Sequence, residues 1–249
     1  MHAPRQQRLD HFKTVIYGRV EGWLSDRMWQ VIDIIGTILD ANLVRGHIAE
    51  FGVHHGLFLF LLNVLRNDDE QCFAIDVFDD QQLNVDCSGR GSLQAFLSHI
   101  ETLIPEQRPF FKVVQRDTLS LSAIEVVDLF GQNGVKFFSV DAGHSVQHLR
   151  NDLCLVQEVL VPGGVVAIDD FMSVHWPGVT EGFYRFMDHQ NRRLKPFLCL
   201  HNKLFLTTVS EHGCVLRQFR TAIEAVCAEE VSSGRWKEVE IVGCKTLAF

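Results

Sequence analysis

The feature that most constrains the fold is an alternation between short, continuously apolar runs and longer segments with helical periodicity. Five such runs occur in the first two thirds of the chain, at residues 47–51, 71–77, 110–114, 135–140 and 164–168. Strands that are apolar on both faces are typical of a parallel sheet covered by helices on each side. We therefore expect an α/β fold with a doubly wound, mostly parallel, Rossmann-like sheet.

Helical patterns fill the intervals between these strands. They predict helices at residues 56–66, 92–103, 122–130, 145–160 and 179–188. An earlier helix is expected over residues 26–39, with Ser25 as its N-cap because a serine hydroxyl can accept a hydrogen bond from the first turn.

The pattern changes after the fifth strand. Apolar runs at 203–209 and 214–219 are separated by only four residues, which favours an antiparallel hairpin over another helical crossover. The expected sheet therefore has seven strands and ends in this hairpin. Residues 221–249 carry a helical pattern and a short apolar stretch at 239–242 that fits an edge strand.

The length of 249 residues suits one α/β domain. We expect a single domain over residues 1–249, with an N-terminal helical appendage over 1–45. The core spans 46–220 in this interpretation, and a C-terminal extension follows over 221–249. The amphipathic N-terminal segment is compatible with a homo-oligomer contact.

The net charge and the cysteine content indicate which classes of binding partner, and which cellular compartment, to expect. A net charge of −8 disfavours a nucleic-acid partner, whose phosphates need a concentrated basic face. Seven scattered cysteines without a C-x-x-C pair indicate reduced thiols and a cytoplasmic protein. The most apolar run, residues 56–65, is too short to span a bilayer, so no membrane partner is expected.

A glycine-containing loop follows the first predicted strand, with Glu50, Gly52 and Gly56 in the pattern E-x-G-x-x-x-G. Dinucleotide-binding loops have the pattern G-x-G-x-x-G, which brings a helix N-terminus to a pyrophosphate. An acid before the first glycine would repel a pyrophosphate and suits a cationic ligand. Asp76 ends the second strand, where a carboxylate can accept hydrogen bonds from ribose hydroxyls. The alternatives are a tight turn without a ligand and a capping aspartate.

Three more aspartates end predicted strands: Asp141 the fourth, and Asp169 with Asp170 the fifth. Because neighbouring strand ends lie about 5 Å apart, these carboxylates should either share protons or bind a cation. Their oxygen ligands favour Mg²⁺, with Mn²⁺ and Ca²⁺ as alternatives. His144 lies three residues after Asp141 and is a candidate general base for a metal-bound hydroxyl. The alternative interpretation is that these residues cap helices or lie on the surface.

Four segments together resemble a known family: GHIAEFGVHHG, FAIDVFDD, FFSVDAGHSVQHLRNDL and VLVPGGVVAIDDF. In this order they are similar to class I S-adenosylmethionine-dependent small-molecule O-methyltransferases, in particular the macrocin and mycinamicin sugar methyltransferases. The similarity covers roughly residues 18–210. It implies methyl transfer to a hydroxylated small molecule, such as a sugar or a secondary metabolite.

The resemblance also implies a role for each candidate residue. Glu50, Gly52 and Gly56 would line the methionine portion of the cofactor, Asp76 would hold its ribose, and Asp117 would approach its adenine. Asp141, Asp169 and Asp170 would ligate Mg²⁺, and Asp141 and His144 would be catalytic, with His144 as the base. Residues 81–91 and 172–179 would form the acceptor-facing walls of the cleft.

Two departures leave other functions open. Leu57 and Phe58 stand where relatives usually carry small residues, and their bulk would narrow the methionine pocket. This favours a non-catalytic or nucleotide-binding relative of the same fold as an alternative. An NAD(P)-dependent oxidoreductase is less favoured, because the third glycine of its loop is missing. Trp23 is expected to be a buried aromatic, with closure over the cofactor as the alternative.

Overall fold

One nine-stranded sheet organises the computed structural model, which describes residues 3–25 and 27–249. The strands, numbered in chain order, are β1 His47–Phe51, β2 Cys72–Asp76, β3 Phe111–Gln115, β4 Val135–Val140, β5 Leu160–Ile168, β6 Leu194–Leu200, β7 Lys203–Thr208, β8 Lys237–Ile241 and β9 Cys244–Ala248. The α-helices are α1 Arg5–His11, α2 Met28–Ala41, α3 Leu57–Leu62, α4 Leu93–Leu103, α5 Ala123–Phe130, α6 Val146–Val159, α7 Pro177–His189, α8 His212–Val226 and α9 Ala228–Ser232.

The strand order across the sheet is β3-β2-β1-β4-β5-β7-β6-β9-β8. Strands β1 to β5 are mutually parallel, and β7 pairs antiparallel with both β5 and β6. The expected fold class, an α/β fold with a doubly wound and mostly parallel sheet, is confirmed. The strand count differs from the expected seven because β8 and β9 of the C-terminal extension continue the same sheet.

The five apolar runs lie where the sequence pattern placed them, and β1, β2 and β4 are buried on both faces, whereas the edge strand β3 is partly exposed. In β4, Phe137 packs with the helices on one side of the sheet and Phe138 with those on the other. Helices α1 to α4 and α8 cover the first side, whereas α5, α6 and α7 cover the second. Both side chains are fully buried, which explains why the strand lacks an alternating polar pattern.

The predicted composition of the hairpin is wrong. Residues 214–219 belong to helix α8, in which Val215, Leu216, Phe219 and Ile223 form one buried stripe at helical spacing. The strand that pairs with β7 precedes it instead, as β6, and the two-residue turn His201-Asn202 connects them. No element was predicted over β6. It contains Pro196, which lacks an N–H donor, and the pairing register shifts beside it.

The predicted cap of the second helix is also wrong. Its first predicted residue, Asp26, lies outside the described residues. Arg27 occupies the N-cap of α2 and makes no side-chain capping bond, and within the described residues the Ser25 hydroxyl has no hydrogen-bond partner. Ser25 contributes its backbone carbonyl instead, which accepts from the Met28 N–H at 2.9 Å. Within the two described ranges, no helix is long and apolar enough to cross a membrane.

The loop between β1 and α3 passes directly over the end of β4. Gly52 has a φ of 78°, a left-handed conformation that favours glycine. A Cβ atom at this position would lie 1.9 Å from the carbonyl oxygen of Asp141. The close approach of the two backbones therefore requires glycine here.

We expect Gly52→Ala to destabilise the fold by at least about 3 kcal/mol, because both the positive φ and the clash with backbone oppose a side chain. Gly18→Ala is the matched control. Its φ of 86° is similarly left-handed, but a Cβ there meets nothing within 4 Å. The control should lose only about 1 kcal/mol. Urea unfolding of the two variants measures the difference, and equal losses would contradict the close-approach account.

Candidate active site

The carboxyl ends of the central strands form one rim, because the backbone ladder continues one residue beyond each strand. The Gly52 N–H donates to Ile75 (3.0 Å), the Asp141 N–H to Phe51 (2.8 Å), and the Asp169 N–H to Val140 (3.0 Å). A cavity of about 570 Å³ opens at this rim. The sequence-predicted site residues that line it are Glu50, Gly52, Asp76, Asp117, Asp141, His144, Asp169 and Asp170.

Glu50 lies at the floor of this cavity and is only 1% exposed. Burial raises the pKa of its carboxyl group to about 8. Its Oε2 atom has no hydrogen-bond partner among the described residues. A buried carboxylate oxygen without a partner is costly, and a cationic donor in the cavity would satisfy it.

Asp76 already has an internal role. Its Oδ2 atom accepts from the backbone N–H groups of Val53 (2.5 Å) and His54 (2.8 Å), and its Oδ1 atom accepts from Phe78 (2.5 Å). The carboxylate thereby ties the loop after β1 to the end of β2. A carboxylate has about four acceptor positions, so capacity for one further donor remains. The predicted contact with a ribose stays a prediction.

Asp117 and Gly56 occupy the edges of the predicted cofactor site. Asp117 lines the cavity, and its Oδ1 accepts from the Leu119 N–H at 3.0 Å. Gly56 has a φ of 96°, and a Cβ there would meet the rings of Phe60 and Phe96 within 2.8 Å. Gly56 thus permits close packing of helix α3, and its predicted contact with the cofactor stays a prediction.

Asp141, His144 and Asp170 converge at one end of the cavity. One potential ligand atom of each lies within 4.8 Å of the others. His144 Nε2 is 3.1 Å from Asp170 Oδ2 and 3.9 Å from Asp141 Oδ1. Burial in the cavity and the neighbouring Asp169 hold the pKa of Asp141 well above its usual range. The cluster therefore concentrates negative charge that a divalent cation could neutralise.

Asp170 itself adopts a left-handed backbone conformation, with a φ of 55°. Strained conformations of non-glycine residues are often found at functional sites. This turn directs the Asp170 carboxylate towards His144 and away from the adjacent Asp169 carboxylate.

Asp169 faces a lysine that the sequence analysis did not include. The register of β5 and β7 pairs Ile168 with Leu204, so Lys203 lies beside Asp169 and forms an ion pair with it. The ammonium group is buried and lies 4.5 Å from the centre of the Phe58 ring. Burial alone lowers the pKa of Lys203, but Asp169 and Asp141 raise it above its ordinary value.

The bulk of Phe58 thus has a defined function, because its ring carries a cation–π contact with the buried lysine. Leu57 and Phe58 are both buried and line the cavity. The predicted role of Asp169 as a third metal ligand stays a prediction, since its carboxylate pairs with Lys203 in the structure.

The imidazole of His144 is held from three directions. Its Nδ1 atom lies 2.8 Å from Asp86 Oδ2 and 3.1 Å from the Ser88 hydroxyl, and its ring stacks on Trp176 at 4.3 Å. The His144 backbone N–H also donates to Asp86 at 2.7 Å. Because an ionised carboxylate only accepts hydrogen bonds, Nδ1 carries a proton towards Asp86, and in the ligand-free protein Nε2 carries one towards Asp170. Nε2 then faces the cavity.

The charges around His144 are mutually stabilising. Burial lowers the pKa of His144, but the Asp170 and Asp86 carboxylates raise it above its ordinary value. Burial raises the pKa of Asp86, yet hydrogen bonds from His144 and Ser88 lower it to about 2. Asp86 is therefore ionised at neutral pH.

Sequence reasoning did not single out Asp86, Lys203 or Trp176, although Asp86 and Trp176 lie in the segments 81–91 and 172–179 that it predicted as cleft walls. Asp86 is the only acid in the loop at 81–91, which was predicted to form a cleft wall, so its position held a partial signal. Lys203 is the first residue of the apolar strand β7. Its contact with Asp169 could not be predicted, because the strands of the hairpin were assigned incorrectly. The interpretation of Trp23 as a buried aromatic is wrong. It is 74% exposed, lines the cavity and contacts the His54 ring at 5.4 Å.

Comparison with known proteins shows that the chain is similar to methyltransferases in sequence and in fold. A family model described as a methyltransferase domain matches residues 49–171. The O-methyltransferase NovP superposes with a TM-score of 0.57 at 14% identity, over 73% of this chain and 79% of NovP. An O-methyltransferase from Bacillus cereus in complex with SAH gives 0.52 at 10% identity, over 84% and 91% of the two chains.

A third structure is MycE methyltransferase from the mycinamycin biosynthetic pathway, in complex with Mg and SAH. It gives a TM-score of 0.52 at 15% identity, over 84% of this chain and 55% of MycE. No curated protein sequence matches the chain.

The fold, with a cavity at the carboxyl ends of its central strands, is that of O-methyltransferases of known structure. The chain carries the methyltransferase domain over residues 49–171, and the identification of a class I S-adenosylmethionine-dependent methyltransferase from its sequence motifs is confirmed.

We expect Glu50→Gln to stabilise the ligand-free protein. Below its ordinary pKa near 4.5 the carboxyl group is protonated in both the folded and the unfolded chain. Between that value and about 8 only the unfolded chain ionises, so folding stability falls as pH rises. The amide has no such dependence, and the variant should gain about 1–3 kcal/mol near pH 7.

Urea unfolding at about pH 5 and pH 8 measures this effect, with a larger gain expected at the higher pH. Glu224→Gln is the control, since Glu224 is exposed on α8. A gain at Glu50 that is independent of pH would contradict the account.

Proposed function

We propose that this methyltransferase transfers the methyl group of S-adenosylmethionine to a hydroxyl group of a small molecule, with assistance from a divalent metal ion. One observation carries the proposal: a buried carboxylate oxygen without a partner and a cluster of two carboxylates with a histidine line the same cavity. The first suits the cationic amino group of the cofactor. The second suits activation of a hydroxyl group.

The cofactor would lie along the rim of the sheet. Glu50 would accept a hydrogen bond from the amino group of its methionine portion, and Gly52 would let that portion approach the backbone closely. Asp76 would use its remaining acceptor capacity for the ribose, and Asp117 would lie near the adenine. The MycE and Bacillus cereus structures contain SAH, S-adenosylhomocysteine, which supports a cofactor of this type.

The two carboxylates of the cluster fit a divalent cation, because potential ligand atoms of Asp141 and Asp170 lie within 4.8 Å of each other. Asp141 and Asp170 would hold the ion, with Asp169 as the further predicted ligand. Such an ion, when bound, lowers the pKa of a hydroxyl group that contacts it. The Mg ion in the MycE complex supports this choice of metal.

Binding of the cation to Asp170 would remove one of the two carboxylates that raise the pKa of His144, so that the neutral ring could accept the proton of the acceptor hydroxyl at Nε2. Asp86 would act as the positioning residue of His144. It holds the Nδ1–H bond and the backbone of His144 at the same time, so the ring cannot rotate without losing a charge-assisted hydrogen bond. The resulting alkoxide would attack the sulfonium methyl group, and the protein would contribute mainly by orienting the two reactants.

The alternatives find less support. An NAD(P)-dependent oxidoreductase would need a loop that brings a helix N-terminus to a pyrophosphate, and the loop after β1 lacks the G-x-G-x-x-G pattern. A non-catalytic relative was suggested by Leu57 and Phe58, but Phe58 has a defined contact with Lys203 and the cavity remains open.

We further propose that the chain acts as one domain in the cytoplasm. Strands β8 and β9 of the C-terminal extension continue the sheet of the core, which supports the single domain. All seven cysteines are free, which suits a reducing compartment.

Calorimetric titration with S-adenosylmethionine and with NADH tests the proposed function. We expect micromolar or tighter binding of the first and no measurable binding of the second, because the rim is acidic and offers a partner only to a cation. Binding of NADH alone would favour the oxidoreductase. Binding of neither would favour the non-catalytic relative.

Asp141→Asn should abolish binding of Mn²⁺, used as a spectroscopic substitute for Mg²⁺, because it removes a charged ligand from the cluster. Asp86→Ala is the matched control, since it also removes one carboxylate but lies on the far side of His144. Electron paramagnetic resonance should show Mn²⁺ binding in the control and none in Asp141→Asn.

The same control variant tests the positioning role of Asp86. Nitrogen-15 NMR of His144 should report a proton on Nδ1 in the wild type and a shift towards the other tautomer in Asp86→Ala. Equal Mn²⁺ affinity in all three proteins would contradict the metal site, and an unchanged His144 spectrum would contradict the positioning role.

A further inference from the structure

The proposed reaction gives no role to one histidine that lines the cavity. His148 lies in the first turn of α6 and is only 6% exposed. Its ring packs against the backbone at Gly143, where a Cβ atom would lie 2.6 Å from the ring. The ring atoms nearest to that position are Cγ, Cδ2 and Nδ1, so Nε2 is among the ring atoms further from this backbone. Close packing therefore holds the ring in one place beside the loop that follows β4.

Ser145 determines which ring nitrogen of His148 carries the proton. Its Oγ atom accepts from the His148 backbone N–H at 3.2 Å and lies 2.7 Å from Nδ1. The hydroxyl proton has no other acceptor among the described residues, so the hydroxyl donates to Nδ1. Burial lowers the pKa of His148, although Asp117 opposes this shift, and the ring is therefore neutral at neutral pH. In a neutral ring whose Nδ1 atom accepts, the proton is on Nε2.

The Nε2–H group of His148 is available to a ligand. No residue in the ranges 3–25 and 27–249 forms a hydrogen bond with Nε2, and the atom is not sealed from the cavity. A donor that is mostly withdrawn from water is costly to leave without a partner. The imidazole thus offers one hydrogen-bond donor to a molecule that fills the cavity.

This donor lies at the end of the cavity where the nucleoside is expected. Asn151, one turn further along α6, donates from its amide to the Thr118 carbonyl at 2.9 Å, which ties the helix to the segment after β3. Among the charged groups near His148, Asp117 acts most strongly on its ring. Asp117 Oδ1 accepts a backbone N–H, and its Oδ2 atom makes no hydrogen bond within the described ranges. The two side chains therefore present an acceptor and a donor to the same part of the cavity.

Adenine carries the complementary pair of groups. Its exocyclic amino group donates, and the ring nitrogens N1 and N7, one on each side of that group, accept. Resting on the proposed function, we propose that His148 determines specificity for the adenine of the cofactor, with Nε2–H donating to a ring nitrogen beside the amino group while Asp117 accepts from the amino group. Such a site rejects a base that lacks the ring acceptor, because the His148 donor is then left unpaired.

Two analogues of S-adenosylhomocysteine test this inference, one with C–H in place of adenine N1 and one with C–H in place of N7. Each keeps the amino group and removes a single acceptor. Calorimetric titration of the full chain measures their affinities. We expect one of the two to bind about tenfold more weakly than S-adenosylhomocysteine and the other to bind equally well.

Variants of His148 assign the loss to this side chain. His148→Phe keeps an aromatic ring beside Gly143 but has no N–H group. It should bind S-adenosylhomocysteine about tenfold more weakly than the wild type does, and the discriminated analogue with the same reduced affinity. His148→Gln, whose amide can place an N–H group near the position of Nε2, should keep the discrimination.

His11→Phe is the matched control. It also exchanges a half-buried histidine for phenylalanine, but His11 contacts the Leu103 carbonyl at 2.9 Å and does not line the cavity. The control should discriminate between the analogues as the wild type does.

The outcomes separate this inference from the proposed function. If S-adenosylhomocysteine does not bind to the wild type, the proposed function fails. If it binds and both analogues bind equally well, the role of His148 is overturned while the proposed function stands. A tenfold discrimination that persists in His148→Phe would also overturn this role, because another group would then make the contact.

Discussion

The structure depends on the parallel pairing of β1 with β4, in a register that sets Phe51 opposite Val140. This pairing brings the end of one strand against the end of the other, and only a glycine at position 52 lets the chain turn there. The same register sets Glu50 opposite Ser139 and places Asp141 beside Gly52. The binding surface is thus a direct consequence of how two buried strands align.

The concentration of carboxylates at this rim has an energetic cost that the fold offsets locally. The Lys203 ammonium group neutralises the Asp169 carboxylate. The carboxylates of Asp86 and Asp170 contact the His144 ring from its two nitrogen atoms. Burial keeps the proton on Glu50 near neutral pH, although Ser139 and Lys203 lower the pKa of its carboxyl group. The free-energy cost of burying Glu50 remains in the ligand-free protein, and a cationic ligand would relieve it. Retaining such a cost at a binding site is a common compromise between stability and function.

Much of this arrangement could be predicted from the sequence. Apolar runs without alternation identify strands buried on both faces, and acids that directly follow such strands must meet at one edge of a parallel sheet. Asp141 and Asp169 are placed by that rule alone. This rule does not identify every strand: the partner of β7 was predicted at 214–219, but it is β6. Short apolar segments fit both periodicities, and Pro196 obscured the true strand.

The residues that escaped prediction act through long-range contacts. Lys203 reaches the site only through antiparallel pairing with β5, and Asp86 only because its loop folds back onto His144, 58 residues further along the chain. Neither contact produces a periodic pattern in the sequence from which it could be predicted. Trp23 likewise appears as a core aromatic by composition, and only the path of the N-terminal segment places it at the cavity mouth.

The central claim is that the rim binds the nucleoside of a sulfonium cofactor beside a hydroxyl-activating cluster. A crystal structure of the protein with S-adenosylhomocysteine measures this most directly. The account predicts that the amino group of the ligand contacts Glu50 Oε2 and that its sulfur atom faces the space between Asp141 and His144. A ligand bound elsewhere, or one in this cavity that leaves Glu50 without a partner, would contradict it.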